Sequence, residues 1–304
     1  MATISEHIEQ LKIDKQTLVD NLVEKGVEAT SEETFTTLVP KVKDIQSGAD
    51  LSEYFAEELT KGSSSSASWR IAFLKFPPLP NSPDLTSFSY MFSGCSAKEI
   101  DISNLDWSNV TTAQYMFQSS GLTNLVYPNH IIEVPKLTDF TYVFQNCSKL
   151  ESFDFSKFNF HKPINVRNCF QNCSNLISVN GGNIDVSTFA GFYQVFQTCS
   201  KLTYLDISNW DFSSATTFSS MFNGCYQLTD LRFGKNLATS INLSDSTLLT
   251  EESLISVLLG LADLNSLGKN TQTCNLGSTN LAKLTSEAGQ QALAQAQAYG
   301  WTVS

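Results

Sequence analysis

Seven cysteines, three histidines and thirty Asp and Glu residues are the side chains of this chain with catalytic or metal-binding chemistry. Cys169 and Cys173 stand four apart, a spacing that puts two thiolates on one face of a helix. The His or second Cys pair that completes a zinc site does not follow. Six of the seven cysteines sit inside a recurring motif and the total is odd, as expected of small reduced core groups rather than bridges. His7, His130 and His161 stand in no motif. No G-x-S-x-G, phosphate-binding glycine loop or H-E-x-x-H occurs. A glycosidase pair would not need adjacent carboxylates, but repeat position accounts for most of the acidic residues. The expectation is a protein with no enzymatic activity, no cofactor and no metal ion.

The elements that would position any functional group are set by a repeat. Six hexapeptides align: 90–95 YMFSGC, 115–120 YMFQSS, 142–147 YVFQNC, 168–173 NCFQNC, 194–199 QVFQTC and 220–225 SMFNGC. Their phenylalanines, at 92, 117, 144, 170, 196 and 222, are separated by 25, 27, 26, 26 and 26 residues. That period lies in the leucine-rich-repeat range. In the clearest unit, Leu202, Leu205 and Ile207 point inward from a short strand, and Trp210 and Phe212 continue the inward set through a turn. Asp211 or Ser213 is placed to cap a short helix carrying Phe218, Met221 and Phe222 at i, i+3 and i+4. Gly224, with Gly94, Ser119, Asn146, Asn172 and Thr198, falls where a left-handed helix cap is expected. One unit cannot bury its own apolar face, so neighbours must stack, with Phe and Cys in internal columns. The fold class expected is an α/β solenoid of about six repeats of roughly 26 residues.

The flanks differ. Within residues 1–48, Ile4, Ile8, Leu11, Lys15, Leu18 and Leu22 alternate at heptad spacing. Ile4, Ile8, Leu11, Leu18 and Leu22 are the candidate attachment or oligomerisation residues. The pattern is equally compatible with a two-helix hairpin, its second helix kinked at Pro40. Residues 49–68, with the serine run 63–66, read as a linker. The solenoid spans 69–240, opening on a strand at 69–76 that Pro77 and Pro78 stop. Residues 241–304 form an α/β cap: a helix opened by Thr250 and carrying Leu254, Ile255, Leu258 and Leu261, a strand near 274–276, and a helix at 285–299 ended by Gly300. Trp301 and Val303 close the core.

Residues between inward positions of the strands face out of the ladder. One outward column is Asp101, Val126, Asp154, Asn180, Asp206 and Arg232; beside it run Glu99, Asn124, Ser152, Ser178, Tyr204 and Asp230. The candidate binding residues are Asp101, Asp154, Asn180, Tyr204, Asp206 and Arg232, a polar set with one tyrosine that suits carbohydrate or protein. A merely solvated face reads the same way.

The formal net charge of −11 and pI of about 4.7 disfavour nucleic acid, whose phosphates bind through Lys and Arg. The longest apolar run, 254–262, is interrupted by Ser256 and Gly260 and is too short to insert in a membrane. The N-terminal ten residues carry acidic groups where a signal peptide carries an apolar core, so folding in a cytosol is expected.

The repeats, with Leu-Asp-Ile-Ser-Asn-Trp-Asp at 205–211 and Met-Phe-Asn-Gly-Cys at 221–225, resemble the BspA-like leucine-rich-repeat family over about residues 84–233. Such repeats occur on bacterial surface proteins and in phage structural proteins. The segment 34–42 after Lys25-Gly26-Val27-Glu28-Ala29, and 278–285 with Gly300-Trp301-Thr302, resemble the ends of tail and fibre proteins of phages infecting Gram-positive bacteria. The resemblance implies a virion component assembled in the host cytoplasm, a fibre or a tail or head appendage. It implies attachment to other virion proteins through the N-terminus, a homotrimer, and repeats facing a host-surface glycan or protein. A decoration or spacer without a receptor, and a bacterial surface adhesin, are the alternatives.

Overall fold

The computed structural model describes residues 86–304 apart from 104 and 219, together with residues 15, 16, 18–20, 23 and 30. Ile4, Ile8, Leu11 and Leu22, the linker and the strand expected at 69–76 lie outside the described residues. Leu18 is helical and half-buried.

The repeats contribute strands of three residues: β1 (Glu99–Asp101), β2 (Asn124–Val126), β3 (Ile132–Val134), β4 (Ser152–Asp154), β5 (Phe158–Phe160), β6 (Ser178–Asn180), β7 (Tyr204–Asp206) and β8 (Asp230–Arg232). All pair in parallel. β4, β6, β7 and β8 form one ladder in that order, β1 pairs with β2, and β3 with β5. Register follows the repeat, Ser152 against Ser178, Tyr204 and Asp230 in turn. The middle residues Phe153, Val179, Leu205 and Leu231 are buried, as the period of two along a strand requires.

The expected single run of outward columns is broken once. β2 and β4 lie 28 residues apart, two more than the 26-residue step of the later strands, and no ladder joins them. The extra length is taken up after Val126, and the two coils remain neighbours through the Glu151 N–H bond to the Thr123 carbonyl at 3.2 Å.

The short helix expected at each repeat, with Phe218, Met221 and Phe222 on one face, is not formed. These hexapeptides are consecutive tight turns. Tyr90, Tyr115, Tyr142, Asn168, Gln194 and Ser220 open them in the left-handed region, at φ between +53° and +60°. Alternate N–H groups then point in different directions. Those of Phe88, Tyr90, Phe92 and Gly94 reach carbonyls of Thr112, Gln114, Met116 and Gln118 in the next coil at 2.7–3.0 Å. Those of Met91, Ser93 and Cys95 close local turns onto Phe88, Tyr90 and Phe92. A helix would aim every amide along its own axis, leaving nothing for the neighbouring coil. The turn satisfies backbone groups within and between coils, while still placing i, i+3 and i+4 inward. Gly94, Ser119, Asn146, Asn172, Thr198 and Gly224 are left-handed too, at +55° to +78°.

The core is columnar. Phe92, Phe117, Phe144, Phe170 and Phe196 stack face to face, centroids 5.2–5.5 Å apart and planes within 8°, and Phe222 follows at 6.1 Å. All seven cysteines are free and buried. The Sγ–H of Cys147, Cys173, Cys199 and Cys225 donates to the carbonyls of Phe117, Phe144, Phe170 and Phe196 at 2.9–3.1 Å. Each of these four thiols therefore fills space and bonds back to the preceding coil.

At the C-terminal end β9 (Ile241–Asn242), β10 (Gln272–Asn275) and β11 (Trp301–Val303) form a parallel sheet in the order β11-β10-β9. Helix α1 (Glu251–Leu259) is capped by Thr250, whose hydroxyl accepts from Ser253 N–H at 3.2 Å. The turn α2 (Ser278–Leu281) and helix α3 (Glu287–Ala298), capped by Ser286, complete the cap. Leu261, expected on the first helix, lies beyond it and bridges Leu237. Trp301 is buried and its Nε1–H donates to the Ala262 carbonyl at 2.9 Å. No helix among the described residues is long and apolar enough to cross a membrane.

Candidate functional site

Two faces carry the polar columns. On the strand face the registers place Asp154, Asn180, Asp206 and Arg232 in one row, with Tyr204 beside it. Asp101 belongs to the separate β1–β2 pair. Most of these side chains are already engaged. Oδ1 of Asp101, Asp154, Asn180 and Asp206 accepts the N–H two residues on, from Ser103, Ser156, Gly182 and Ser208, at 2.9–3.1 Å. Asp154 and Asp206 also accept from the hydroxyls of Ser156 and Ser208. The column read from sequence as a free binding row is thus largely a set of Asx turns that take the chain out of each strand.

Only Tyr204, Asp206 and Arg232 of the six candidate residues converge. The Arg232 guanidinium lies 3.4 Å from Asp206, 3.9 Å from Asp230, and over the Tyr204 ring at 5.5 Å. The Tyr204 hydroxyl donates to Asp206 at 3.4 Å. Burial, then the Asp206 charge, pushes that hydroxyl's pKa up. Arg232 is more than half exposed, and exposed pairs of this kind contribute about 0.2–1 kcal/mol.

At β3 and β5, His161, just past the end of β5, has Nε2 2.7 Å from Glu133, and Asn159 Nδ2 donates to both Glu133 oxygens at 3.0 and 3.3 Å. The bond from His161 holds the Glu133 carboxyl below the usual carboxylate range. This exposed cluster escaped the sequence reading because 26 and 28 residues separate its members from Glu133. Among the described residues no group of three His, Cys, Asp or Glu is placed to hold a metal ion.

The second face is made by the turns. Tyr90, Tyr115 and Tyr142 stack with centroids 4.7 Å apart and planes at 15–16°. Burial in that stack, then the neighbouring phenols Tyr142 and Tyr90, pushes the Tyr115 hydroxyl's pKa up. Beside the rings runs an amide row. Gln118 Nε2 donates to Gln145 Oε1 at 2.7 Å, Gln145 to Gln171 at 2.6 Å, and Gln171 to Gln197 at 2.7 Å. Asn168 and Gln194 follow the tyrosines in their column, and Gln194 Oε1 accepts from both Asn168 and Gln171. Arg167 stacks over Tyr193 at 5.3 Å. Sequence reasoning used these hexapeptides for the inward Phe, Met and Cys and for the left-handed fifth position, and assigned nothing to the Tyr and Gln positions. The recurrence of Tyr three times and Gln four times at fixed motif positions was the signal for the face.

Three-residue parallel strands recurring at a 26-residue step, each with a buried apolar centre, are the architecture of a leucine-rich repeat. Residues 84–191 match the family described as BspA type Leucine rich repeat region, in 6 copies. Residues 138–245 match the family described as Mycoplasma protein of unknown function, DUF285. No curated protein matches the chain.

Proposed function

We propose that the chain is a non-enzymatic recognition scaffold: its stacked repeats form one α/β solenoid that presents polar columns to an extended partner. The supporting observation is the regular repetition of partly exposed polar and aromatic side chains, coil after coil, on the turn face. Such an array suits a ligand that itself repeats, because each added contact costs no new translational freedom.

The setting proposed is a phage virion, where the chain serves as a fibre or a tail or head appendage. That reading rests on the resemblance of both flanks to phage tail and fibre proteins. In it, residues 1–48 dock on other virion proteins and bring three copies together, while the repeats face the host surface. Antibody raised against this chain and imaged on purified particles tests it. Labelled particles are expected, and particles that remain unlabelled after permeabilisation would exclude the virion setting.

A further inference from the structure

We infer that the turn face binds a neutral polysaccharide along the tyrosine column 90–115–142 and the amide row 118–145–171–197. This rests on the recognition-scaffold reading and names its ligand.

Charge selects the class of ligand. The chain carries thirty acidic and nineteen basic residues, yet none falls in the six hexapeptides that build this face. Arg167, stacked on Tyr193, is the single charge in the positions immediately before them. A polyanion needs a row of Lys or Arg, which the face does not offer.

Hydrogen-bond valence narrows it further. A primary amide has two donors and two lone pairs. Within the row Gln145 gives one N–H to Gln171 and accepts one from Gln118, and Gln171 passes the pattern on to Gln197. Gln145 is left with one donor and one lone pair. Gln118, 145, 171 and 197 are all partly open to solvent. The hydroxyls of Tyr90, Tyr115 and Tyr142 have no hydrogen-bond partner among the described residues, and each both donates and accepts. A sugar hydroxyl has the same dual character, so the hydroxyls of successive sugar units can meet the phenol edge of the stack and the unspent amide valences beside it. Protein hot spots also draw on Tyr and Arg; the row of unspent amide and phenol valences is what favours a sugar here.

Pre-organisation favours the same answer. The rings are fixed by stacking and the amides by one another, so little side-chain freedom remains to be lost on binding.

The test uses the full chain in native electrophoresis through gels containing a neutral glucan, mannan or galactan, with polygalacturonate as the anionic comparison. At least one neutral polymer is expected to retard the protein and polygalacturonate is not. The variant Tyr115→Asn/Gln145→Ser borrows residues that the chain itself places at 168 and 93. It should weaken retardation about tenfold, the loss of one or two hydrogen bonds. Gln118→Ser, at the end of the row, should weaken it about threefold on the same basis and serves if the double variant melts early. Leu267→Ser, exposed in the C-terminal cap and on neither face, should leave it unchanged.

No retardation by any neutral polymer, stronger retardation by polygalacturonate, or a loss in Leu267→Ser as large as in the turn-face variants would each overturn the inference. Any of these with particles still labelled by antibody leaves the virion reading standing. Unlabelled particles with glycan binding intact remove that reading and leave the binding face.

Discussion

The thiols show what burial does to a single residue. Burial pushes the Cys147 thiol from 9.0 up to about 11, and Cys225 and Cys274 up to about 12. Iodoacetamide should label Cys147, Cys173 and Cys199 slowly in the native protein and quickly in denaturant, because the reactive thiolate is suppressed and covered. Rapid native labelling would contradict the columnar interior. The same shifts set an alkaline limit. Below pH about 9 these thiols are protonated whether the chain is folded or unfolded, and their contribution to stability is fully present. Between 9 and 11–12 the unfolded chain releases protons that the folded chain keeps, so stability falls as pH rises, by about 1.4 kcal/mol per pH unit for each thiol. Thermal melts should therefore decline steeply above pH 9, and Cys147→Ala should flatten that decline. Ser119 offers the opposite experiment. It is exposed at φ +55°, where Gly94 and Gly224 serve in other coils. Ser119→Gly should stabilise by about 0.5–1 kcal/mol in denaturant melts by relieving the left-handed penalty. Gly224→Ala should destabilise, since its Cβ would meet Thr198 Cα at 3.2 Å.

At the scale of elements, the period, the register of β4, β6, β7 and β8 and the start of the first cap helix were readable in the chain, because inward Leu, Ile and Phe positions and the Thr250 cap are local signals; Leu261 and the Ser286 cap were not. The turn conformation was not. Phe218, Met221 and Phe222 at i, i+3 and i+4 fit a helix and a double turn equally, and what decides between them is the neighbouring coil's demand for hydrogen bonds. The Asx turns hid for a related reason: alternation says which way Asp154 and Asp206 point, but not that Ser156 and Ser208 consume them. The Phe column gives the sharpest test of stacking. Phe170 lies between Phe144 and Phe196 and also packs within 5.6 and 6.1 Å of Phe153 and Phe155. Phe170→Ala should cost about 3–5 kcal/mol, more than Phe92→Ala in the first described coil. Equal small losses would contradict a core built from columns.

For the whole molecule, the repeats and their C-terminal cap contain their own core, while the heptad residues of 1–48 have no counterpart in the repeat pattern. Residues 69–304 alone are expected to fold and stay monomeric. If the proposed virion reading holds, the full chain forms a trimer or binds another virion component. Light scattering of both forms, with pull-down from disrupted particles, reads the difference. A full chain that is monomeric and binds no virion component through 1–48 would remove the attachment role.

The common 26-residue step has a consequence for how such a chain changes over generations. Between Phe144 and Phe222 the strand pairing, the ring stack and the thiol bonds all advance by that one interval. Unequal recombination between two coil-coding stretches therefore yields a longer or shorter array in which each column still meets its neighbour. A deletion of residues 176–201, one whole interval, should leave a folded protein, whereas removing half that number should not. Reach can thus be altered in single genetic steps without redesigning the interior, and the two extra residues between β2 and β4 show where the interval varies without breaking the stack.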